Sequence, residues 1–341
     1  MTLTNRAFRL HTRPVGEPTA DDLELVEEPV RELADGEILV RTLYLSLDPT
    51  NRLWMSDMRQ YSPPVELGEV MRGIGIGEVV ESRREDIAPG MLVSGYTLWQ
   101  EYCVAGPELG FGPLPQPLGA PLTVYLGALG HTGLTAYVGM DMARPTAGET
   151  VVISAAAGAV GSVAGQIAKD HGARVVGIAG GEKKCRHVVE QLGFDACVDR
   201  KAPHWRSQLD AATPDGVDVN FENVGGEVMD DVLMRLNLNA RIILCGMISQ
   251  YDAAGSESGW LGQTNIGQIL MQRATMRGFI ITDHIDQFPA GFEYLSDLYA
   301  KGRLRHDETI VEGFDQALTA MHQLFTGENI GKLLVHVADP S

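Results

Sequence analysis

The residues best suited to chemistry form a glycine-containing turn near the middle of the chain. Ala156, Gly158 and Gly161 have the spacing of a G-x-G-x-x-G turn, with alanine at the first position. An apolar strand precedes the turn and an amphipathic helix follows it, as a dinucleotide site requires. Gly158 lets the backbone approach a pyrophosphate, Gly161 allows close helix packing, and the helix N-terminus offers N–H groups to the anion. This context favours a dinucleotide site over the alternative, a turn that serves only packing.

The end of the second strand indicates which dinucleotide binds. An NAD site usually has an acidic residue about 20 positions after the glycines, where it binds the ribose 2′-hydroxyl. Here the stretch Ala179-Gly180-Gly181 has no carboxylate, and Glu182 is followed directly by Lys183 and Lys184. Cations at a helix N-terminus are unfavourable by about 0.3–1 kcal/mol, which favours a bound anion over the alternative, a solvated helical turn. Together with Arg200 after the third strand, the two lysines predict a site for a 2′-phosphate and therefore NADPH rather than NADH.

A third candidate contact to the cofactor lies at the end of the fourth strand. Asn223 follows Glu222 and precedes the pair Gly225 and Gly226. Strand C-termini face the ligand crevice in such sheets, so we expect Asn223 to contact the nicotinamide ribose. The alternative is a turn in which the asparagine bonds only to nearby backbone.

From about Val124 onward, apolar strands alternate with helix-length segments, which predicts a parallel sheet. Strands are predicted at 151–154, 174–179, 196–198, 217–221, 241–246 and 275–281, and helices at 182–192, 288–300 and 314–325. A final strand at 332–337 is a candidate to return to the first part of the chain. The first 120 residues have short strands broken by glycine and proline, as in a barrel-like module. The predicted fold class is α/β, with a Rossmann-type doubly wound sheet beside a β-rich domain.

Composition limits the partners and the compartment. The net charge of −18 argues against nucleic acid and anionic membranes as partners. The hydrophobic fraction of 44% is typical of a globular protein. No stretch approaches the roughly 18 apolar residues of a membrane helix. The four cysteines are far apart and form no C-x-x-C pair. We therefore expect no disulfide framework, no cysteine-rich zinc site and a reducing cytoplasm.

Several motifs together resemble the zinc-independent medium-chain dehydrogenase/reductases, in the branch of leukotriene B4 12-hydroxydehydrogenase/prostaglandin reductase and curcumin reductase. The similar stretches are LSLDP (45–49), GLTAY (133–137), AAAGAVGSVAG (155–165), LGFD (192–195), ENVGG (222–226), CGMISQY (245–251) and NIGK (329–332). The resemblance implies an NADPH-dependent homodimer that reduces the C=C bond of α,β-unsaturated ketones and aldehydes. It also implies a Rossmann-type domain, 125–299, inserted in a GroES-like catalytic domain, 1–124 and 300–341.

The resemblance extends to the cofactor contacts. In this chain, 157–160 would hold the pyrophosphate and Lys184 the 2′-phosphate. The complete set of expected contacts is Thr135, Ala157, Gly158, Ala159, Val160, Gly180, Lys184, Arg200, Asn223, Cys245, Gly246, Met247, Ile248, Ser249, Tyr251, Phe279, Ile280, Ile281 and Asn329.

Two departures from the family pattern concern the expected contacts to the substrate and the cofactor. Thr50 stands where relatives often have a tyrosine that reaches the substrate, which leaves the substrate open. Arg200 replaces a tyrosine near the adenosine phosphate and suits NADPH. Candidate substrate contacts are Thr50, Arg52, Trp54, Tyr61 and Trp260, with core packing, dimer packing and surface salt bridges as the alternatives.

The predicted chemistry does not use a metal. Before Val104 the chain has only Cys103 and His11 as cysteine or histidine ligands, so the sequence predicts no catalytic zinc. Conjugate reduction needs less assistance from a Lewis acid than direct ketone reduction. Hydride adds to the β-carbon of an enone or enal, and a positioned donor stabilises the enolate oxygen. Tyr251, after the fifth strand, is the candidate donor, with loop packing or cofactor contact as the alternative.

Two other functions stay open at this point. One is an NADPH quinone reductase on the same scaffold, and the other is a non-catalytic NADPH-binding protein.

Overall fold

A computed structural model describes residues 3–253 and 262–341 of the chain. The strands are β1 (Thr4–Leu10), β2 (Leu23–Pro29), β3 (Ile38–Leu47), β4 (Gly75–Ser82), β5 (Leu92–Gly95), β6 (Tyr102–Ala105), β7 (Gly112–Pro113), β8 (Thr150–Ser154), β9 (Arg174–Ala179), β10 (Ala196–Asp199), β11 (Val217–Glu222), β12 (Leu236–Leu244), β13 (Thr275–Gly278), β14 (Glu308–Glu312) and β15 (Lys332–His336). The α-helices are α1 (Thr50–Trp54), α2 (His131–Ala143), α3 (Ala159–Asp170), α4 (Glu182–Glu190), α5 (Trp205–Ala212), α6 (Gly226–Leu233), α7 (Gly267–Met271), α8 (Phe288–Ala300) and α9 (Ala317–Thr326). Short 3-10 segments lie at Pro107–Leu109, Leu122–Leu126, Ile248–Ala253, Ile281–Gln287 and Phe314–Gln316.

The second half of the chain forms a parallel sheet in the order β10-β9-β8-β11-β12-β13. The central strand β8 is buried along its whole length. Val151 and Ile153 face one core cluster while Val152 faces another, because successive side chains of a strand point to opposite faces. The strand order reverses between β8 and β11, and ligands bind in the crevice outside the carboxyl ends at such a point. The predicted Rossmann-type sheet is confirmed.

The first part of the chain and its C-terminal end form a β-rich domain, which is antiparallel except for the parallel pair of β14 and β15. Its main sheet has the order β14-β15-β3-β4-β5-β7, with β6 also paired to β3, and β1 and β2 form a separate hairpin. The C-terminal strand β15 pairs antiparallel with β3, so the end of the chain returns to this domain as expected. The domain boundaries at 124/125 and 299/300 stay a prediction.

Some element bounds differ from the sequence-based prediction: β12 covers 236–244, β13 ends at 278, α4 ends at 190, and α9 begins at 317 after a 3-10 turn. The strand β12 ends at Leu244, because the amide of Cys245 makes the last ladder bond, to the carbonyl oxygen of Glu222 at 2.9 Å. The amide of Gly246 donates to the same oxygen at 3.1 Å, so the chain leaves the ladder there. Similarly, the stretch after β13 leaves the sheet because a 3-10 segment begins at Ile281.

The two domains touch at the glycine-containing turn. Gly331 donates its amide to the carbonyl oxygen of Ala157 at 2.8 Å, and Gly158 and Gly331 form an isolated β-bridge. Gly331 has a φ of +67°, and a Cβ there would overlap the backbone carbonyl of Asp307. Glycine therefore suits this position, because other residues rarely adopt such a backbone conformation. The segment before β15 is held against the turn at the edge of the cleft.

Candidate active site

A cavity of about 1070 Å³ lies between the two domains, outside the carboxyl ends of β8 and β11. All the cofactor contacts expected from the sequence, from Thr135 to Asn329, line this cleft. Of the candidate substrate contacts, Thr50, Trp54 and Tyr61 also line it. The fold thus brings together residues from nearly the whole length of the chain.

The turn between β8 and α3 can accept a pyrophosphate. Ala155 has a φ of +50°, and Gly158 is the N-cap residue of α3. A Cβ at Gly161 would overlap the carbonyl oxygen of Ala155, so only glycine allows this close approach. The first amides of α3 have no intrahelical acceptor, and they lie along the cleft. This arrangement fits the phosphate oxygens of a dinucleotide.

Lys184, Arg200 and Lys201 line the cleft together and form what we call the cation cluster. Burial and the two neighbouring cations lower the pKa of Lys184 to about 8. Among residues 3–253 and 262–341, no carboxylate forms a salt bridge with these three side chains. The nearby carboxylate of Glu182 pairs with Arg186 instead. Cations gathered without a carboxylate partner favour a bound anion such as a 2′-phosphate.

Glu222 is a buried carboxylate that fixes the loop after β11. Its Oε1 accepts hydrogen bonds from Ser154 Oγ at 2.8 Å and from the amides of Val224 and Gly225 at 2.7 and 2.8 Å. Asn223 donates its backbone amide to Ser154 Oγ at 2.7 Å and its side-chain amide to the Ser154 carbonyl at 2.8 Å. Burial raises the pKa of Glu222, and the hydrogen bonds it accepts oppose this shift. Asn223 is therefore held in place where β8 and β11 end.

Tyr251 lies in the 3-10 segment after β12, where its buried ring packs against Leu53. Its hydroxyl accepts a hydrogen bond from the amide of Met247 at 3.1 Å. Burial raises the pKa of Tyr251 to about 12, so the phenol keeps its proton at neutral pH. A Cβ at Gly246 would lie 3.1 Å from the Tyr251 hydroxyl oxygen, so glycine allows this close packing.

Thr50 and Tyr61 bring two further hydroxyl groups into the cleft. Thr50 Oγ1 and Tyr61 Oη are 2.5 Å apart. Burial raises the pKa of Tyr61, which lies near enough to Tyr251 to affect the pKa of that residue. Trp54 walls the same region, with the Arg72 guanidinium 5.3 Å from its ring centre. No local sequence signal indicated that positions 50 and 61 share a hydrogen bond.

Arg52 does not line the cleft, contrary to its expected contact with substrate. Its fully buried guanidinium donates to the carbonyl oxygens of Pro14, Gly16 and Asp252, at 3.1, 3.0 and 3.3 Å. It also donates to Ser56 Oγ at 2.6 Å, and burial lowers the pKa of Arg52. The side chain is used to join the N-terminal loop to the segment that carries Tyr251, so we assign it a structural role.

Three further residues were expected to contact the cofactor or the substrate, and the structure shows the contacts of two of them. Thr135 lines the cleft but donates its hydroxyl to the His131 carbonyl at 2.7 Å. Asn329 donates its side-chain amide to the carbonyl of Gly331 at 3.0 Å, which holds the segment before β15. Trp260 lies outside the described residues.

A buried ion pair beside the cleft was not anticipated. Lys332 donates its Nζ to the Leu47 carbonyl at 2.6 Å and to the Asp48 carboxylate at 3.1 Å. Burial lowers the pKa of Lys332. Burial alone would raise the pKa of Asp48, but the Lys332 ammonium group, the hydrogen bond from Ser46 and the nearby His131 together hold it below its usual value. His131 lines the same region, and burial lowers its pKa. The pair is 284 positions apart, so no local pattern predicts it.

Two parts of the chain match known protein families. Residues 6–110 match a family described as the N-terminal domain of oxidoreductase, and residues 159–297 match one described as zinc-binding dehydrogenase. Within the described ranges, no group of three or more His, Cys, Asp and Glu side chains is arranged to hold a metal ion. No helix in those ranges is both long and apolar enough to cross a membrane.

Individual relatives are similar over almost the full chain. The NADPH-dependent curcumin reductase of Escherichia coli (strain K12) is 40% identical over 339 residues, which cover 98% of this chain and 97% of the relative. The 2-alkenal reductase (NADP(+)-dependent) of Nicotiana tabacum is 35% identical, with 98% of each chain covered. The crystal structure of CurA in complex with NADPH from Vibrio vulnificus has a TM-score of 0.92 and 40% identity, and covers 98% of this chain and 100% of that one.

The chain therefore belongs to the zinc-independent medium-chain dehydrogenase/reductase family, as its motifs indicated. Within the family it lies in the branch of NADP-dependent oxidoreductases of the curcumin reductase and alkenal reductase type.

Proposed function

We propose that this protein is an NADPH-dependent reductase of the C=C bond of α,β-unsaturated ketones and aldehydes. The observation that carries the proposal is the cleft, which joins the dinucleotide turn to a region walled by Leu53 and Trp54 that contains the hydroxyl groups of Tyr61 and Tyr251. The relatives named curcumin reductase and 2-alkenal reductase support the same reaction class.

The residues present fit NADPH, which when bound supplies the hydride for the β-carbon of the substrate. In this proposal the amides at the start of α3 bind the pyrophosphate. The cation cluster binds the 2′-phosphate, and Asn223 contacts the nicotinamide ribose. The similar structure of CurA, which is in complex with NADPH, supports NADPH as the cofactor.

The chain itself must stabilise the negative charge that moves to the substrate carbonyl oxygen. Tyr251 has a pKa of about 12 and therefore carries its proton at neutral pH, and burial also raises the pKa of Tyr61. Phenol O–H groups held at fixed positions stabilise a developing oxyanion more effectively than water does. A proton must then reach the α-carbon or the oxygen, and Tyr251 is the proposed donor.

The decisive experiment is NADPH oxidation measured with trans-2-alkenals, enones and quinones as acceptors. We expect turnover with the alkenals and enones, and a saturated carbonyl compound as the product. Turnover of quinones without activity on the other two classes would support the quinone reductase instead. Tight NADPH binding without turnover of any acceptor would support the non-catalytic alternative.

We also propose that two copies associate through the outer edge of the parallel sheet. β13 forms this edge. Exposed apolar side chains are present on β12, α7 and the segments beside them, namely Leu238, Ile266, Leu270, Met271 and Ile285. Apolar side chains concentrated near a sheet edge are typical of an interaction surface. Light scattering of the purified protein should give the mass of a dimer, and a monomer would contradict the proposal.

The proposed compartment is a reducing cytoplasm. All four cysteines are free thiols in the structure. Secreted proteins more often contain disulfides, which form in oxidising compartments. Cell fractionation tests this proposal, and recovery of the protein outside the cytoplasm would contradict it.

A further inference from the structure

Cys185 and Cys197 place two thiols together beside the cation cluster. Cys185 is on α4, and Cys197 is on β10, which packs under that helix. Both residues are partly exposed, both side chains pack against the same core cluster, and each thiol shifts the pKa of the other. Gly177 pairs with Cys197 in the sheet, and a Cβ there would lie 3.3 Å from Cys197 Sγ and 2.9 Å from Val188 Cγ1 of α4. The thiol of Cys197 therefore lies in the narrow space between the sheet and α4.

The same two elements carry the cation cluster. Lys184 immediately precedes Cys185, while Arg200 and Lys201 follow β10 directly. Asp199 joins the two elements, because its Oδ1 accepts hydrogen bonds from the amide of Gly181 at 2.6 Å and from the amide of Lys201 at 2.9 Å. A change in the spacing between α4 and β10 therefore changes the positions of the cations relative to one another.

The two thiols differ in acidity. The neighbouring Cys197 thiol lowers the pKa of Cys185, whereas the Cys185 thiol and burial raise the pKa of Cys197. Cys185 also lies near the positive N-terminal end of α4, which stabilises a thiolate, while the charge of Asp199 opposes this effect. Cys185 is thus suited to attack an oxidant and Cys197 to resolve the product.

We infer that Cys185 and Cys197 are a redox modification site, which a hydroperoxide converts into a reversible disulfide. The Cys185 thiolate attacks one peroxide oxygen, which forms an S–O bond, breaks the O–O bond and releases hydroxide. The Cys197 thiol then attacks the sulfur of this sulfenic acid, which forms the S–S bond and releases water. Together the thiols lose two electrons and two protons, and hydrogen peroxide is reduced to two molecules of water.

The disulfide weakens binding of the 2′-phosphate. A covalent S–S bond of about 2.05 Å is much shorter than any non-bonded contact between two thiols, so its formation draws Cys185 of α4 and Cys197 of β10 towards each other. Lys184 moves with α4 and leaves its position beside Arg200 and Lys201. This consequence rests on the proposed 2′-phosphate site. It does not apply to NADH, which lacks that phosphate.

The test uses the full-length protein, reduced and then treated with hydrogen peroxide. Intact mass should fall by two hydrogen atoms, and peptide mapping should show Cys185 linked to Cys197. The Kd for NADPH, measured by cofactor fluorescence, should rise about tenfold, the equivalent of one charge-assisted hydrogen bond, while the Kd for NADH should stay nearly constant. Dithiothreitol should restore the original affinity. Neither measurement needs a substrate, so the result does not depend on the reaction that the enzyme catalyses.

Matched variants identify the thiols that respond. Cys185→Ser and Cys197→Ser should form no link and should not show the reversible loss of NADPH affinity. Cys103→Ala should behave like the wild type, because Cys103 is buried in a different core cluster. Absence of the link in peroxide-treated wild-type protein would overturn the site, whether or not the variants fold. A link that changes the affinities for NADPH and NADH equally would overturn its action through the 2′-phosphate.

Discussion

Replacement of Lys184 with alanine should weaken NADPH binding far more than NADH binding. Lys184 is half-buried between Arg200 and Lys201, and no carboxylate in the described part of the chain forms a salt bridge with it. A hydrogen bond from a charged group contributes about 1.5–3 kcal/mol. Because two cations remain in the variant, we expect the lower value, which is about a tenfold increase in the Kd for NADPH.

The pH dependence gives a second measurement of the same contact. Lys184 has a pKa of about 8, and a phosphate binds its charged form. NADPH affinity should therefore fall as the pH rises through about 8, where the lysine loses its proton, and NADH affinity should change much less. In Lys184→Ala this fall should be absent.

The neighbouring Lys183 provides the matched control, because it is exposed, is adjacent on the same helix and does not line the cleft. Titration of both cofactors against Lys184→Ala and Lys183→Ala separates local binding from general charge. Equal losses for NADPH and NADH in Lys184→Ala, or the same loss in Lys183→Ala, would refute the assigned role.

Three further substitutions test other parts of the site. Tyr251→Phe should lower kcat by about 100-fold, which is the lower limit of the usual contribution of a general acid, and should leave the affinity for NADPH largely unchanged. An unchanged kcat in steady-state assays would show that Tyr251 is not the proton donor. Arg52→Met should lower the free energy of unfolding, measured in urea titrations, by about 3 kcal/mol, because the substitution leaves buried carbonyl oxygens without their hydrogen-bond donor. A loss as small as that of a surface salt bridge would contradict this prediction. Gly161→Ala should lower stability by about 1–3 kcal/mol and weaken NADPH binding, because its Cβ would overlap a backbone carbonyl; wild-type values for both in thermal melts and titrations would contradict the close approach.

The cofactor turn could be predicted because its signals are local. The strand, the small residues and the helix that form the proposed pyrophosphate site are consecutive in the chain, and the spacing of Gly158 and Gly161 is sufficient to predict this role. The NADPH preference likewise follows from neighbouring residues, namely Gly180 without a carboxylate and Lys184 after it. These patterns depend on backbone geometry and charge within a few residues.

The direction of single side chains was less predictable. Arg52 and Trp54 lie on the same short helix, yet Trp54 faces the cleft and Arg52 is buried behind it. Their types and spacing do not reveal this, because a loop from the N-terminus and a carbonyl of Asp252 together create the buried site for the guanidinium. Sequence-based reasoning therefore assigned Arg52 to the substrate.

By itself, the sequence determined the parallel sheet, the glycine-containing turn and the positive charge that indicates a 2′-phosphate, because periodicity, turn chemistry and adjacent charges act over short distances along the chain. Only the tertiary structure decided which hydroxyl groups meet in the cleft and that Lys332 is paired with Asp48. It also decided that α4, which carries Cys185, packs against β10, which carries Cys197. These contacts join elements far apart in sequence, and their geometry depends on strand order and on packing between the domains, which no local pattern encodes.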